Sequence, residues 1–211
     1  MNWQASLQRP IQTPKQLLVE GRTAEMFFRE WIEATKLNHS MEARNFGSNA
    51  NLTGYLRTFS SAREFREKVN ALGVIRDAEA GPAANAFQSV CASLKAAGLT
   101  SPAALGAYGE GTPRTGVFIL PDCHQPGMLE TLCWQILEGD AKAASQIQCV
   151  KAYLDCLRPQ TQIQNEAKAK VWTFLAGRGE FDPLVGRAAQ VGIWDWTSPA
   201  LTQLSGFLRS L

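Results

Sequence analysis

Short apolar runs that stop at acids, alternating with amphipathic stretches, constrain this chain more than any other feature of its sequence. Lys15–Glu20 reads K-Q-L-L-V-E and is followed by Gly21; Leu72–Ile75 runs into Arg76, Asp77, Ala78 and Glu79; Val117–Leu120 runs into Pro121 and Asp122. Continuous apolar runs of this length mark strands buried on both faces, the habit of parallel sheets. A further strand is expected over His39–Phe46. Between the runs the period changes. Ala24, Phe27, Phe28, Trp31 and Ala34 recur at helical spacing, with Thr23 as the expected N-cap and Glu25 in the first turn. Leu52–Phe59 reads as a short helix, and Ser61 with Glu64 has capping-box spacing. Pro82 suits the first position of a helix that carries Ala86, Val90, Leu94 and Ala97 on one face and ends at Gly98. Residues 99–114 read as an exposed loop, and Gly127–Met128 opens a helix carrying Leu129, Leu132, Cys133, Ile136 and Leu137. The remainder of the chain reads as helical at about 140–157, 160–177, 183–190 and 199–210. The expectation is an α/β fold: a mainly parallel sheet of about four strands flanked by helices, with a helical C-terminal third.

The 211 residues are 45% hydrophobic and 19% charged, which excludes a disordered chain and permits a sizeable core. Residues 1–14 form an expected lead-in, 15–140 the α/β core, and 141–211 a helical region packed on it. The 21 basic and 19 acidic residues leave a net charge of +2, which excludes a nucleic-acid coat or a polybasic membrane binder but permits a local phosphate patch. Cys91, Cys123, Cys133, Cys149 and Cys156 are odd in number and form no C-x-x-C pair, so buried free thiols are expected. The N-terminus has no basic region followed by an apolar run, and no stretch approaches a membrane span; a cytoplasmic protein with no membrane partner is expected.

In an open parallel sheet, ligands sit beyond the carboxyl ends of the strands. Glu20, Asp77, Glu79 and Asp122 would converge there. Clustered carboxylates repel unless cations neutralise them, and hard divalent ions are the natural partners. Two such ions would make a phosphodiester-cleaving site. The plainer alternative is that acids at strand ends are only solvated loop residues. His39 reads as an exposed loop residue, and His124 lies two residues from Asp122. Trp172, Trp194 and Trp196 read as packing residues rather than a base-stacking platform.

Leu18–Val19–Glu20–Gly21 before an aromatic-rich helix, with Gly73–Val74–Ile75–Arg76–Asp77–Ala78–Glu79 later in the chain, resembles the Toprim domain. That domain is shared by topoisomerases, primases and overcoming-lysogenization-defect nucleases, and its fold is Rossmann-like. Its pattern is a glutamate after the first strand and Asp-x-Asp after a later one; here Glu79 replaces the second aspartate. More narrowly, the chain resembles a compact bacterial Toprim-like family of unknown function over residues about 15–205. The Asn45–Phe46–Gly47 loop, Ala86–Phe87–Gln88–Ser89, Leu120–Pro121–Asp122 leading to Gly127–Met128–Leu129–Glu130, the Ala-Lys-Ala-Lys helix and Gly-Arg-Ala-Ala at 186–189 carry that likeness.

The resemblance implies residue roles. Glu20 would act as general base or metal ligand. Asp77 and Glu79 would hold Mg²⁺ or Mn²⁺, and Asp122 and Glu130 would complete a second metal site. Glu130 reads equally as a first-turn acid on its helix. Lys168 and Lys170 are candidate phosphate ligands, Lys168 also as a catalytic group, and Arg22 and Arg76 flank the acidic motifs. A snorkelling surface lysine is the plainer reading of either Lys. The expected function is a metal-dependent nuclease or phosphotransferase on nucleic acid, serving as a defence-system effector. Any ATPase partner must be a separate chain, since no phosphate-binding Gly-x-x-x-x-Gly-Lys loop occurs. The alternative is a non-catalytic module that binds a partner protein or nucleic acid; a small-molecule phosphohydrolase is a third reading. A homo-oligomer is compatible with all three.

Overall fold

The computed structural model describes residues 3–179 and 182–211; the first two residues of the lead-in lie outside them. The chain runs α1 (Trp3–Gln8), β1 (Lys15–Val19), α2 (Gly21–Ala34), β2 (Met41–Asn45), α3 (Asn49–Ser61), α4 (Arg63–Lys68), β3 (Ala71–Asp77) and α5 (Ala83–Ala96). It continues through β4 (Tyr108–Gly109), β5 (Arg114–Leu120), α6 (Leu129–Glu138), α7 (Ala144–Leu157), α8 (Glu166–Ala176), α9 (Val185–Gln190) and α10 (Thr202–Ser210). The five strands lie in the order β2-β1-β3-β5-β4. All pairings are parallel except β4 with β5. The expected α/β class and flanked parallel sheet are therefore present, with a short antiparallel edge strand added.

The strand order reverses direction at β1. From β1 the chain crosses to β2 on one side, then returns to β3 on the other. Right-handed crossovers put α2 on one face of the sheet and α5 on the other. Each face carries its own core. Leu17, Val19, Ile75, Phe118 and Leu120 pack with α2 and α6–α10; Leu18, Leu72, Val74, Val117 and Ile119 pack with α3–α5. The alternation within each strand is the period-two pleat, and because both faces are covered the sequence reads as unbroken apolar runs.

Helix α2 starts at Gly21, with Glu20 rather than Thr23 at the N-cap position. Phe27, Phe28 and Trp31 of α2 are almost wholly buried, each stabilising the fold by roughly 2–3 kcal/mol. A Cβ on Gly186 would lie 2.7 Å from Met26 Cβ and 2.8 Å from the Thr23 carbonyl, so glycine lets α9 seat directly on α2. The Ser61–Glu64 capping box does not form: Ala62 is the N-cap of α4, and Glu64 instead pairs with Lys68 at 2.7 Å and accepts the Ile11 N–H. Residues 3–8 of the lead-in are helical, and β4 lies within the stretch expected to be a loop. Pro82 sits at the N-cap position of α5, one residue before the helix. Trp194 is buried, but Trp172 is 47% exposed. All five cysteines are free; Cys91, Cys123 and Cys133 are buried, whereas Cys149 and Cys156 are exposed. Among the described residues, no helix is long and apolar enough to cross a membrane.

Candidate functional site

The reversal between β1 and β3 places a switch point at the carboxyl edge of the sheet, the place where open α/β sheets bind ligands. Val19 pairs with Ile75, so Glu20 leaves β1 beside Arg76 and next to Asp77, the last residue of β3. Glu20 Oε1 accepts the Asn49 N–H at the start of α3 (3.0 Å), and its Oε2 lies 3.9 Å from Arg76 Nε. The Asn45–Phe46–Gly47 loop aims α3 at this point. Gly47 adopts φ +88°, and a Cβ there would meet Asn51 Nδ2 at 2.7 Å and Trp3 at 2.8 Å.

Asp77 Oδ1 accepts the Leu129 N–H (3.0 Å), which docks the first turn of α6 and its Glu130 against the end of β3. Glu79 stands in the left-handed region at φ +62°. It is fixed there by exchanging both backbone hydrogen bonds with Gly127, each 2.8 Å. A β3 turn and the β5–α6 connection are thereby tied into one acidic edge.

The carboxylates feel one another. Burial, then Glu130, Glu20 and Glu79, push Asp77 up to about 7. Burial raises Glu20, opposed by the Asn49 N–H and Arg76 and reinforced by Glu79. Burial also raises Glu130, against the pull of its own backbone N–H and of Lys168. The fully buried Cys133 thiol beneath them is raised by burial and by Glu130 and Asp77, which keeps it protonated and inert.

The structure therefore gathers Glu20, Asp77, Glu79 and Glu130, with Arg76 beside Glu20 and Lys168 in electrostatic reach of Glu130. It does not gather the rest. Asp122 Oδ1 accepts the N–H groups of His124 and Gln125, so that carboxylate closes its own turn, and His124 is exposed. Lys170 pairs with Glu166 at 3.5 Å and lies over the Trp134 ring, 5.7 Å from its centre. Arg22 lies in the first turn of α2 and is exposed. Asn49, Leu129 and Gly127 hold the acids through backbone groups, and backbone donors leave no residue-type signal in a sequence.

Among the described residues, no three His, Cys, Asp or Glu side chains converge to hold a metal ion. The donor chemistry fits a hard cation held by one or two carboxylates, with phosphate and water oxygens completing its shell, which is how Mg²⁺ is usually bound. It does not fit an all-protein cage, and two ions at once would require the carboxylates to draw together.

Fold and edge together define a doubly wound α/β protein with an acidic switch point. Residues 14–211 match the family described as Protein of unknown function (DUF3226), and the chain belongs to that family. No curated protein matches the chain, and no solved structure matches it.

Proposed function

We propose that the chain is a Toprim-type, Mg²⁺- or Mn²⁺-dependent nuclease or phosphotransferase acting on nucleic acid, serving as the effector of a defence system. One observation carries the reading: Glu20, Asp77, Glu79 and Glu130 share the switch-point edge, where burial first and then the charges of Glu130, Glu20 and Glu79 push Asp77 up to about 7. A site that holds carboxylates in mutual repulsion is stabilised by a divalent cation. Asp77 and Glu79 are the first candidates to hold it, with Glu130 on the α6 side. A bound cation would polarise a phosphoryl oxygen and acidify a coordinated water. Glu20, raised by burial yet next to Arg76, is suited to accept a proton at its carboxylate. Lys168 would balance charge on the Glu130 side. Asp122 and Lys170, engaged elsewhere, are assigned no role in this mechanism.

The second reading is a non-catalytic module that binds a partner protein, such as a separate ATPase chain, or nucleic acid. The lack of a converged three-ligand group among the described residues favours it. Calorimetric titration of Mn²⁺ into the wild type and into Asp77→Ala separates the two, with plasmid and single-stranded DNA cleavage assayed alongside. Binding lost in the variant, with metal-dependent cleavage in the wild type, is the expected result. A wild type that binds no metal would leave only the module.

A further inference from the structure

Two arginines reach into the interior beside the sheet, and the fold treats them in opposite ways. Arg44 on β2 is fully buried and fully used. Its Nε donates to Gln16 Oε1 (2.6 Å), Nη1 to the carbonyls of Ser6 and Arg9 (both 2.8 Å), and Nη2 to the Pro10 carbonyl (2.7 Å) and Glu42 (3.1 Å). Arg76 is only 14% exposed in its side chain, yet among the described residues its buried Nη1 has no hydrogen-bond partner. Its one ion pair among the described residues, Nε to Glu20 Oε2, is 3.9 Å long, beyond hydrogen-bonding range. The structural cation Arg44 is hydrogen-bonded on every side. Arg76 has no such set among the described residues, and its buried Nη1 is a donor open to an acceptor.

Glu20 is the other half of the arrangement. One of its oxygens takes the Asn49 N–H and the other faces Arg76. Oε1 takes a backbone N–H and Oε2 faces the Arg76 charge, so a cation at Oε2 meets the repulsion of the guanidinium. A phosphate can bring two of its oxygens to hydrogen-bonding distance of a guanidinium, a bidentate contact that a carboxylate at 3.9 Å does not supply.

We propose that Arg76 is a phosphate receptor that restrains Glu20 until a phosphate binds, so that phosphate and a divalent cation occupy this edge cooperatively. The inference rests on the metal-dependent reading of the site. A phosphate drawing Arg76 away frees Glu20 Oε2 for the cation, and by reciprocity the cation tightens phosphate by the same factor.

The experiment tracks free Mn²⁺ by its electron paramagnetic resonance signal, with micromolar metal, the full chain, and inorganic phosphate present or absent. In the wild type, phosphate should tighten Mn²⁺ binding about fivefold or more. Arg76→Gln should bind Mn²⁺ more tightly than wild type without phosphate and should lose the phosphate effect. Arg76→Lys, which keeps the charge but not the fork, should retain the hold on Glu20 and lose most of the phosphate effect. Charge alone would also let Arg76→Gln tighten the metal, so the substitution is repeated in Glu20→Gln. Restraint through Glu20 predicts that the gain largely disappears there; an equal gain in both backgrounds overturns the proposal. So does a wild-type Mn²⁺ affinity that phosphate leaves unchanged. A wild type that binds no Mn²⁺ in either condition instead defeats the metal-dependent reading itself, and the two failures are thereby distinct.

Discussion

Glu79 and Gly127 exchange their backbone N–H and C=O groups, 2.8 Å in each direction, across a single antiparallel bridge. The bridge holds a non-glycine residue at φ +62°. Such a conformation costs a residue with a Cβ about 1–2 kcal/mol and persists where the surroundings impose it. Because Glu79 is exposed, its side chain adds little packing. Glu79→Gly should therefore stabilise the fold by about 1 kcal/mol in urea titration while weakening Mn²⁺ binding. A variant that loses stability would show that the carboxylate holds the turn rather than serving a ligand.

The other side of the same bridge is tighter. Gly127 has φ +148°, and a Cβ there would stand 2.9 Å from both Pro121 Cδ and Thr131 Oγ1. Gly127→Ala should cost about 1–3 kcal/mol and release Glu79 from its register. Loss of metal binding at a temperature where the variant is still folded by circular dichroism is the expected outcome.

Asp77 gives the fold a pH dependence of known sign. Its folded-state value, about 7, lies above the ordinary 3.8, so the native state binds the proton more tightly than the unfolded chain. Between about pH 4 and 7, folding takes up protons and stability falls as pH rises; above 7 the cost of the buried charge, with the repulsion of its neighbours, is present in full. Glu20 and Glu130, also raised, act in the same direction. Asp77→Asn keeps an oxygen for the Leu129 N–H and removes the charge. It should be more stable than wild type at pH 8 by about 1–3 kcal/mol and nearly equal to it at pH 4. Urea midpoints measured across this range test it; a wild type whose stability rises from pH 4 to 7 would contradict the assignment.

The sheet is legible because its strands are covered on both faces. Leu17, Leu18 and Val19 read as a buried strand, and the acid after each run suggests the carboxyl edge. The boundaries that fail are set by partners distant in sequence. Asp77 belongs to β3 itself, because its neighbour Leu120 extends the ladder that far. The two residues of β4 exist only because Tyr108 pairs with Gly116. Thr23 has the residue type of a cap, but Glu20 and Gly21 begin α2 a turn earlier. In the site, the order of acids along the chain suggests Glu20, Asp77, Glu79 and Glu130 but cannot separate them from Asp122, whose carboxylate is taken up by the N–H groups of His124 and Gln125. Nor can it show that Arg76 has no hydrogen bond among the described residues where Arg44 has a full set, since that contrast belongs to tertiary packing.

The same contrast predicts how the lead-in is held. The carbonyls of Ser6, Arg9 and Pro10 all end on the Arg44 guanidinium. Arg44→Ala would leave them, and Glu42, without the cation. The expected loss is about 3–5 kcal/mol, the scale seen when one partner of a buried charged network is removed. Limited proteolysis should then cut first within residues 3–14, while Mn²⁺ affinity of the remaining folded protein stays near that of wild type. Cleavage elsewhere first would mean that this segment is held by something other than Arg44.

At the sheet's centre, Gly73 and Gly116 sit directly opposite each other on β3 and β5. A Cβ on Gly73 would lie 2.7 Å from Leu211 Cδ2 and 2.9 Å from Leu17 Cδ1, and one on Gly116 would lie 2.8 Å from Phe207 Cε2. The paired glycines form a flat patch that admits α10 and the C-terminal Leu211 onto the face shared with α2. The C-terminal helices are thus not an appendage to the α/β core but the cover of its central strands. Gly73→Ala should destabilise the protein by about 1–3 kcal/mol through overpacking. Leu211→Ala alone should cost about 2–5 kcal/mol, since Leu211 is buried. If Leu211 is what the new methyl strikes, the double variant should fall short of the summed losses by about 1 kcal/mol or more. Strict additivity in guanidinium unfolding would show that Leu17, rather than the end of the chain, sets the limit at Gly73.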